Sequence, residues 1–435
     1  MKLWKIAGLS AVVLAAGQAA GEPKQPVTGP VAVYWMSAST TSGMGAMGVG
    51  AMGVGAMGGG GERPDPRAMM GGGYGRAMMD PNAVNHTLVL QLGTERHADG
   101  EPAAEHDAPP ALGAGPALPL VTPQAQPMHE EPSEPGPPPQ YQQPHGRMLI
   151  FWGCGEHAGP GQPLVINFAN LGSAAGAERM AGLMRGIAVS SEPPPSPGRF
   201  ATYGEWPNAR NSDPIPPDGS LQGDHTVRGN YTPDIHFSLT ADQDFLPPIQ
   251  LTANQKNPSG SASLGWRHVD GAQGYFATMF GGSGEGTVVM WTSSAVQATA
   301  FGLPQYLSDG EIARLVAAHV LMPRDETECT VPEEAVEAAG RGGFFNLVAY
   351  GGEANLSYPP RPPAPQPWRI EWRVKVRYRA ATGGILGMDM SQMMGGRGRE
   401  EGERPDRSPQ DQDQDQGQQD HPRQGGFNPF GGFIP

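Results

Sequence analysis

The chain has 435 residues and carries 29 Lys and Arg against 43 Asp and Glu, a formal charge of −14 at pH 7. That balance argues against general nucleic-acid binding, because phosphate contacts need a net basic footprint. Its 64 glycines and 47 prolines reach the density at which unperiodic Gly and Pro mark low-complexity segments, so much of the length is not packed core.

Residues 1–20 read as a secretory signal peptide. Met1-Lys2-Leu3-Trp4-Lys5 supplies a basic start, residues 6–16 an apolar stretch, and residues 17–20 small side chains suited to cleavage near Ala19 or Ala20. The apolar run is shorter than the roughly 20 residues a bilayer span needs, and no other stretch reads as a span. The expectation is therefore an exported protein, periplasmic, outer-surface or extracellular. Cys154 and Cys329 are the two cysteines, and in an oxidising compartment such a pair is by default a disulfide.

Residues 21–40 carry a first strand, in which Val31, Val33 and Trp35 alternate with Ala32, Tyr34 and Met36. Residues 41–80 read as a Gly/Met-rich flexible insertion, where GAMGV, GAMGV and GAMGG place Met47, Met52 and Met57. Glycine at that density loses too much backbone entropy to order without a compensating core. Residues 81–95 return to strand pattern, with Leu88, Leu90 and Leu92 on one face. Residues 96–146, which include Pro137-Pro138-Pro139, predict a Pro-rich linker.

Residues 147–387 read as the β-rich folded core. The apolar run 148–152, ahead of Gly153-Cys154-Gly155, predicts a strand buried on both faces with 164–171 as its neighbour. Met180, Leu183, Met184 and Ile187 fall on one stripe and predict a short helix over 174–187. Residues 190–234 read as loop, broken by Pro193-Pro194-Pro195 and Pro216-Pro217. Alternation of Ile235, Phe237 and Leu239 with His236, Ser238 and Thr240 marks a further strand. Segments 261–269, 275–280 and 287–292, separated by turn residues, predict a three-stranded antiparallel meander. Ser308 and Glu311 form a capping box opening a helix over 308–322, and a strand follows over 344–350. Residues 388–435, with DQDQDQ at 411–416, read as a disordered polar tail whose apolar end, Phe427 to Ile434, has the look of a docking motif.

The expected fold is mainly β: an antiparallel β-sandwich-like core with one or two short helices and long disordered insertions. The segment SLGWRHVDGAQGYFATMF at 263–280 is similar to the strand-turn-strand of fibronectin type III-like sandwiches, a likeness that implies a sandwich and no activity. The overall arrangement and the WGCGEH segment at 152–157 resemble uncharacterised exported proteins of Gram-negative bacteria, which implies export and a secreted β-rich core and carries over no function.

The most regular stretch is 368–379. Trp368, Ile370, Trp372, Val374, Val376 and Tyr378 alternate with Arg369, Glu371, Arg373, Lys375, Arg377 and Arg379, the period of a half-buried strand with its basic face outward. Cations two residues apart on one face repel one another. An anionic partner would relieve that repulsion, so Arg369, Arg373, Lys375, Arg377 and Arg379 are the candidate anion site. The partner would be a surface polysaccharide, lipid head groups, another envelope protein or this chain's own acidic segments, and the plain alternative is a solvated face. Cys154 with His157 could make an activated thiolate or a metal site. The methionine repeats offer soft Cu(I) ligands, or a mere flexible linker. Asp213, Asp218 and Asp224 do not match an EF-hand spacing and read as turn residues. No Gly-Lys-Ser phosphate loop, HExxH or GxSxG occurs. The expectation is a non-enzymatic secreted or cell-envelope protein without a cofactor, acting as a binding or structural component. The alternative is an exported enzyme or metal-handling protein using Cys154 and His157 or the Met repeats.

Overall fold

The computed structural model describes residues 25–43, 83–123, 146–170, 188–283, 286–297, 302–340 and 343–388, with the single positions 173, 176 and 178. The expected signal peptide, the repeats holding Met47, Met52 and Met57, and the tail beyond Met388 lie outside these residues, as does nearly all of the helix expected over 174–187.

The fold is mainly β. In chain order the strands are β1 (Val27–Thr28), β2 (Ala32–Gly43), β3 (Asn85–Thr94), β4 (Ala104–Asp107), β5 (Ala117–Leu120), β6 (Arg147–Trp152), β7 (Leu164–Asn167), β8 (Thr202–Trp206), β9 (Gly223–Gly229) and β10 (Ile235–Leu239). They continue with β11 (Leu251–Lys256), β12 (Ala262–Trp266), β13 (Gly274–Ser283), β14 (Thr287–Thr292), β15 (Met322–Pro323), β16 (Glu328–Val331), β17 (Phe344–Tyr358), β18 (Trp368–Arg369) and β19 (Trp372–Ile385). Two short α-helices, α1 (Asp309–Ala317) and α2 (Glu333–Ala339), and two 3-10 turns, Pro110–Leu112 and Phe168–Asn170, complete the described elements. None of these helices is long and apolar enough to cross a membrane.

A large sheet runs β7-β6-β14-β13-β17-β19-β2-β3-β8, with β15 added beside β13. Its pairs are antiparallel except β6 with β14 and β2 with β19, which run parallel. Two smaller sheets, β10-β9-β4-β5 and β11-β12-β16, share one core with its inner face. Even positions of β2 and β19, including Tyr34, Met36, Val374 and Val376, meet Leu118, Val227 and Ile235 of one small sheet and Leu264 and Trp266 of the other in that core. The outer face is covered as well. Phe276, Val348, Tyr350 and Ala381 pack under Ile312 and Leu315 of α1 together with Leu307 and Leu321, and Met148, Ile150, Ile166 and Met290 form a third cluster at the β7 end.

Several expectations stand and several are corrected. β6 has apolar residues buried on both faces, with β7 beside it, and Ser308 caps α1 by accepting from Glu311 N. The helix ends at Ala317, because His319 takes a left-handed backbone (φ 57°) that turns the chain into β15. The linker expected over 96–146 is core over its described part: Leu112, at the end of a 3-10 turn (Pro110–Leu112), and Leu118 and Leu120, on the four-residue β5, are buried, in elements too short to display a period. The loop expected over 190–234 contains β8 and β9. The expected meander is divided, since β12 pairs with β11 and β16 while β13 and β14 form a hairpin in the large sheet. Trp266 and Tyr275 still meet across the Asp270-Gly271 turn, ring centroids 5.4 Å apart, with the Tyr275 hydroxyl accepting from Val269 N.

Between the large sheet and the four-stranded one lies a buried polar chain. The Tyr34 hydroxyl bonds His106 Nδ1, His106 Nε2 lies 2.9 Å from His225 Nδ1, and His225 Nε2 lies 2.7 Å from Leu221 O. A carbonyl only accepts, so His225 carries its proton on Nε2, His106 donates to His225 Nδ1, and Tyr34 donates to His106. All three side chains are buried, and the chain is complete only with both imidazoles neutral.

Burial holds His106 well below the ordinary imidazole pKa of 6.5 and lowers His225 too, with nearby Asp224 opposing in part. The unfolded chain therefore takes up protons that the folded one refuses. Stability is full above about pH 6.5 and is lost as pH falls from there toward the folded pKa values, by at most about 1.4 kcal/mol per pH unit for each histidine. Urea midpoints measured from about pH 8 to pH 5 should stay level and then drop below about pH 6.5. His106→Gln should flatten the drop. A midpoint flat down to about pH 5 would contradict the assignment.

Candidate functional site

The alternating stretch does not form one strand. Trp368 and Arg369 pair with β1, and the chain changes sheets at Ile370 and Glu371, where Ile370 N donates to Thr28 O and Glu371 O accepts from Val31 N and Ala32 N. Gly29 permits this crossing, since a Cβ there would strike the Ile370 carbonyl. Arg369 is exposed on the small β1-β18 ribbon and so stands apart from the other four cations.

Arg373, Lys375, Arg377 and Arg379 do share the outer face of β19, but that face is a second interior. Lys375 is 6% exposed and Arg377 8%. The reason is a layer that the local pattern cannot reveal. Lys375 Nζ meets Glu192 Oε2 at 2.9 Å and both Glu353 oxygens at 3.1 Å, and lies 4.8 Å from the centre of the Trp35 ring. Arg377 is held between Trp35 and Tyr306, its Cζ 4.7 and 4.5 Å from the two ring centres, and donates to Ser37 Oγ. Arg379 lies 5.2 Å from the Tyr306 ring centre and donates to Ser39 Oγ. Cations over aromatic faces are stabilised most where water is excluded.

Register explains the assembly. Lys375, Arg377 and Arg379 stand opposite Trp35, Ser37 and Ser39 of the parallel neighbour β2. On the other side, β17 is bulged between Tyr350 and Glu353. Gly352 lies there at φ 74°, and a Cβ would collide with Asp309 Oδ1. Asp309 Oδ1 takes the place of that side chain, accepting from Glu353 N and from Gln273 Nε2. The bulge re-aims the strand so that the Glu353 carboxylate reaches Lys375.

The covering layer is anchored at both ends. Glu311 of α1 accepts from Ser190 N and from Arg314, and Arg314 donates to Ala188 O. The Arg314 bond holds the Glu311 carboxyl below its usual range. Farther along, Pro195 O accepts from Gln91 Nε2, so the segment 188–197 straps the face from α1 to β3. Glu192 and Glu353 both close on Lys375. Arg373 and Arg379, partly exposed at either end, have no carboxylate within 4 Å among the described residues.

The other candidates separate. Cys154 is bonded to Cys329 with Sγ atoms 2.08 Å apart, so it has no thiolate to offer as a nucleophile or a metal ligand. His157 turns instead to Glu333 and Glu334, its Nδ1 3.1 and 3.6 Å from their carboxylates. The three ligand atoms lie within 4.8 Å of one another, a spacing that could admit a cation, but all three side chains are open to water and pair with each other. Asp213 bonds Asn211, while Asp224 sits on β9 bonded to Ser238, so no shared calcium loop is built. Tyr306, Glu192 and Glu353 went unread in the sequence, and Trp35 was read as a residue of the first strand with no link to the cations. The one local signal was the Gly351-Gly352 pair beside Glu353, which marks a bulge.

The disulfide fastens the 153–158 loop to β16 and α2, where Gly155 N donates to Thr330 O and Glu333 N to Glu156 O. It spans 175 residues, a long loop whose closure constrains the unfolded chain. Replacing both cysteines by alanine should lower unfolding free energy by roughly 3–5 kcal/mol in chemical denaturation, and a loss below about 1 kcal/mol would show that the link carries little stability.

No protein-family model matches the chain, and no curated protein or solved structure shows significant similarity to it.

Proposed function

We propose that this chain is an exported, non-enzymatic binding protein of the cell envelope or its surroundings, and that the ladder on β19 takes an extended polyanion. The observation that carries this reading is the imbalance within the ladder. Four cations stand on alternate residues of one strand, the carboxylates of Glu192 and Glu353 are both spent on Lys375, and Arg373 and Arg379 at the two rims have none among the described residues. Arginine guanidinium forks match carboxylate, sulfate or phosphate groups. The two rim arginines are six residues apart on one strand, about 20 Å, a separation that suits a chain of repeated anionic groups better than a single small anion. Export is supported by the signal-like start and by the disulfide, a bond that persists in oxidising compartments.

Arg377 is too buried to reverse without disturbing the fold, so the test uses the rims. Purified protein should bind a carboxylated polysaccharide such as polygalacturonate in a salt-sensitive way, and Arg373→Glu with Arg379→Glu should weaken it by at least about tenfold, or 1.4 kcal/mol. Vesicles of anionic lipid, run in parallel, distinguish a head-group ligand from a polysaccharide. Binding unchanged in the double variant for both probes would refute the reading.

A further inference from the structure

We propose that Lys375 and Asn355 are the precursors of an intramolecular amide bond, formed across β17 and β19 with Glu353 as the proton carrier. This goes beyond the binding reading and does not rest on it. Asn355 and Lys375 are direct register partners on neighbouring antiparallel strands, so their side chains leave the same face. One carboxylate oxygen serves both. Glu353 Oε1 lies 3.1 Å from Lys375 Nζ and accepts from Asn355 Nδ2 at 3.0 Å, and Glu353 Oε2 lies a further 3.1 Å from Nζ.

Amine, amide and carboxyl group thus converge at one point, and their surroundings suit the chemistry. Lys375 is 6% exposed and the Glu353 side chain 13%, so water has little access to the pair, and the Glu353 carboxylate stands within reach of Nζ to take its proton. The neutral amine is the nucleophile. Its Nζ forms a bond to Asn355 Cγ, and the Cγ–Nδ2 bond breaks. Glu353 takes the proton from Nζ and delivers it to Nδ2, and the nitrogen leaves as ammonia, which carries off the last ammonium proton. No oxidant or outside reactant is needed. Fixed proximity replaces a bimolecular encounter. Asn355 is exposed, so ammonia has a way out.

The bond would join the two longest strands at the middle of the large sheet, at a site distinct from the Cys154–Cys329 link. The test is the reduced, denatured intact mass of the full chain as purified, with a protease map. The expected result is a mass one ammonia lower than that calculated from the mapped N-terminus of the purified chain, and a branched peptide joining the segments that hold Asn355 and Lys375. Glu353→Gln should restore the full mass and the two linear peptides. Linear peptides with Asn355 and Lys375 both intact in the wild-type protein would overturn the proposal, as would hydrolysis of Asn355 without a branch. A branched peptide that persists in Glu353→Gln would overturn the role given to Glu353. The wild-type map decides the matter even if that variant does not fold.

Discussion

Taking Lys375 and Arg377 out of water is the constraint on which the outer half of this structure depends. Removing an ammonium from solvent costs several kcal/mol even after relaxation, and only close partners repay it. Here the partners come from four separate places: Trp35 on β2, Glu353 on β17, Glu192 on the strap and Tyr306 on the loop before α1. None of them can move far without leaving a cation buried and unsatisfied. The strap and the Tyr306 loop are therefore parts of the fold, and the bulge at Gly351-Gly352 is the local irregularity that lets the sheet itself supply one of the two carboxylates.

The same strand explains why the sheet is a global object. β19 pairs in parallel with β2, so segments near the two ends of the described residues meet along the centre of the large sheet, and the β1-β18 ribbon repeats that joining. Contacts of such sequence separation are slow to form because loop closure must precede them. The described core cannot be completed until both ends have arrived. A disulfide across 175 residues and a cross-strand amide would both act on an assembly of this kind, by making late contacts hard to reverse.

The β content was readable wherever one face met the core: β10 falls within the alternating stretch from Ile235 to Thr240, and Ser308 opens α1 as its capping pattern requires. Legibility failed where period two ceased to mean half exposed. The odd residues of β19 are basic, which reads as solvent-facing, yet they lie under a second layer whose carboxylate Glu192 is 183 residues away. No window along the chain contains that information. β4, β5, β8 and β9 escaped notice for another reason, being short, interrupted by Gly or flanked by Pro, with apolar residues too few to show a period. The buried Tyr34–His106–His225 chain was equally hidden, since three polar residues on three strands become a unit only through register. Of the candidate site, the cations were visible in the sequence and everything that positions them was not.

The central claim is that the basic face of β19 is an interior, and lysine reactivity tests it directly. Lys256 is exposed on β11 and Lys375 is buried on β19. Brief acylation of the native protein, followed by peptide mapping, should modify Lys256 and spare Lys375, both in the wild type and in Asn355→Ala, where Lys375 has no amide to bridge to. Modification of Lys375 as readily as Lys256 in the native state would mean that the ladder faces solvent, and that the layered account of this sheet is wrong.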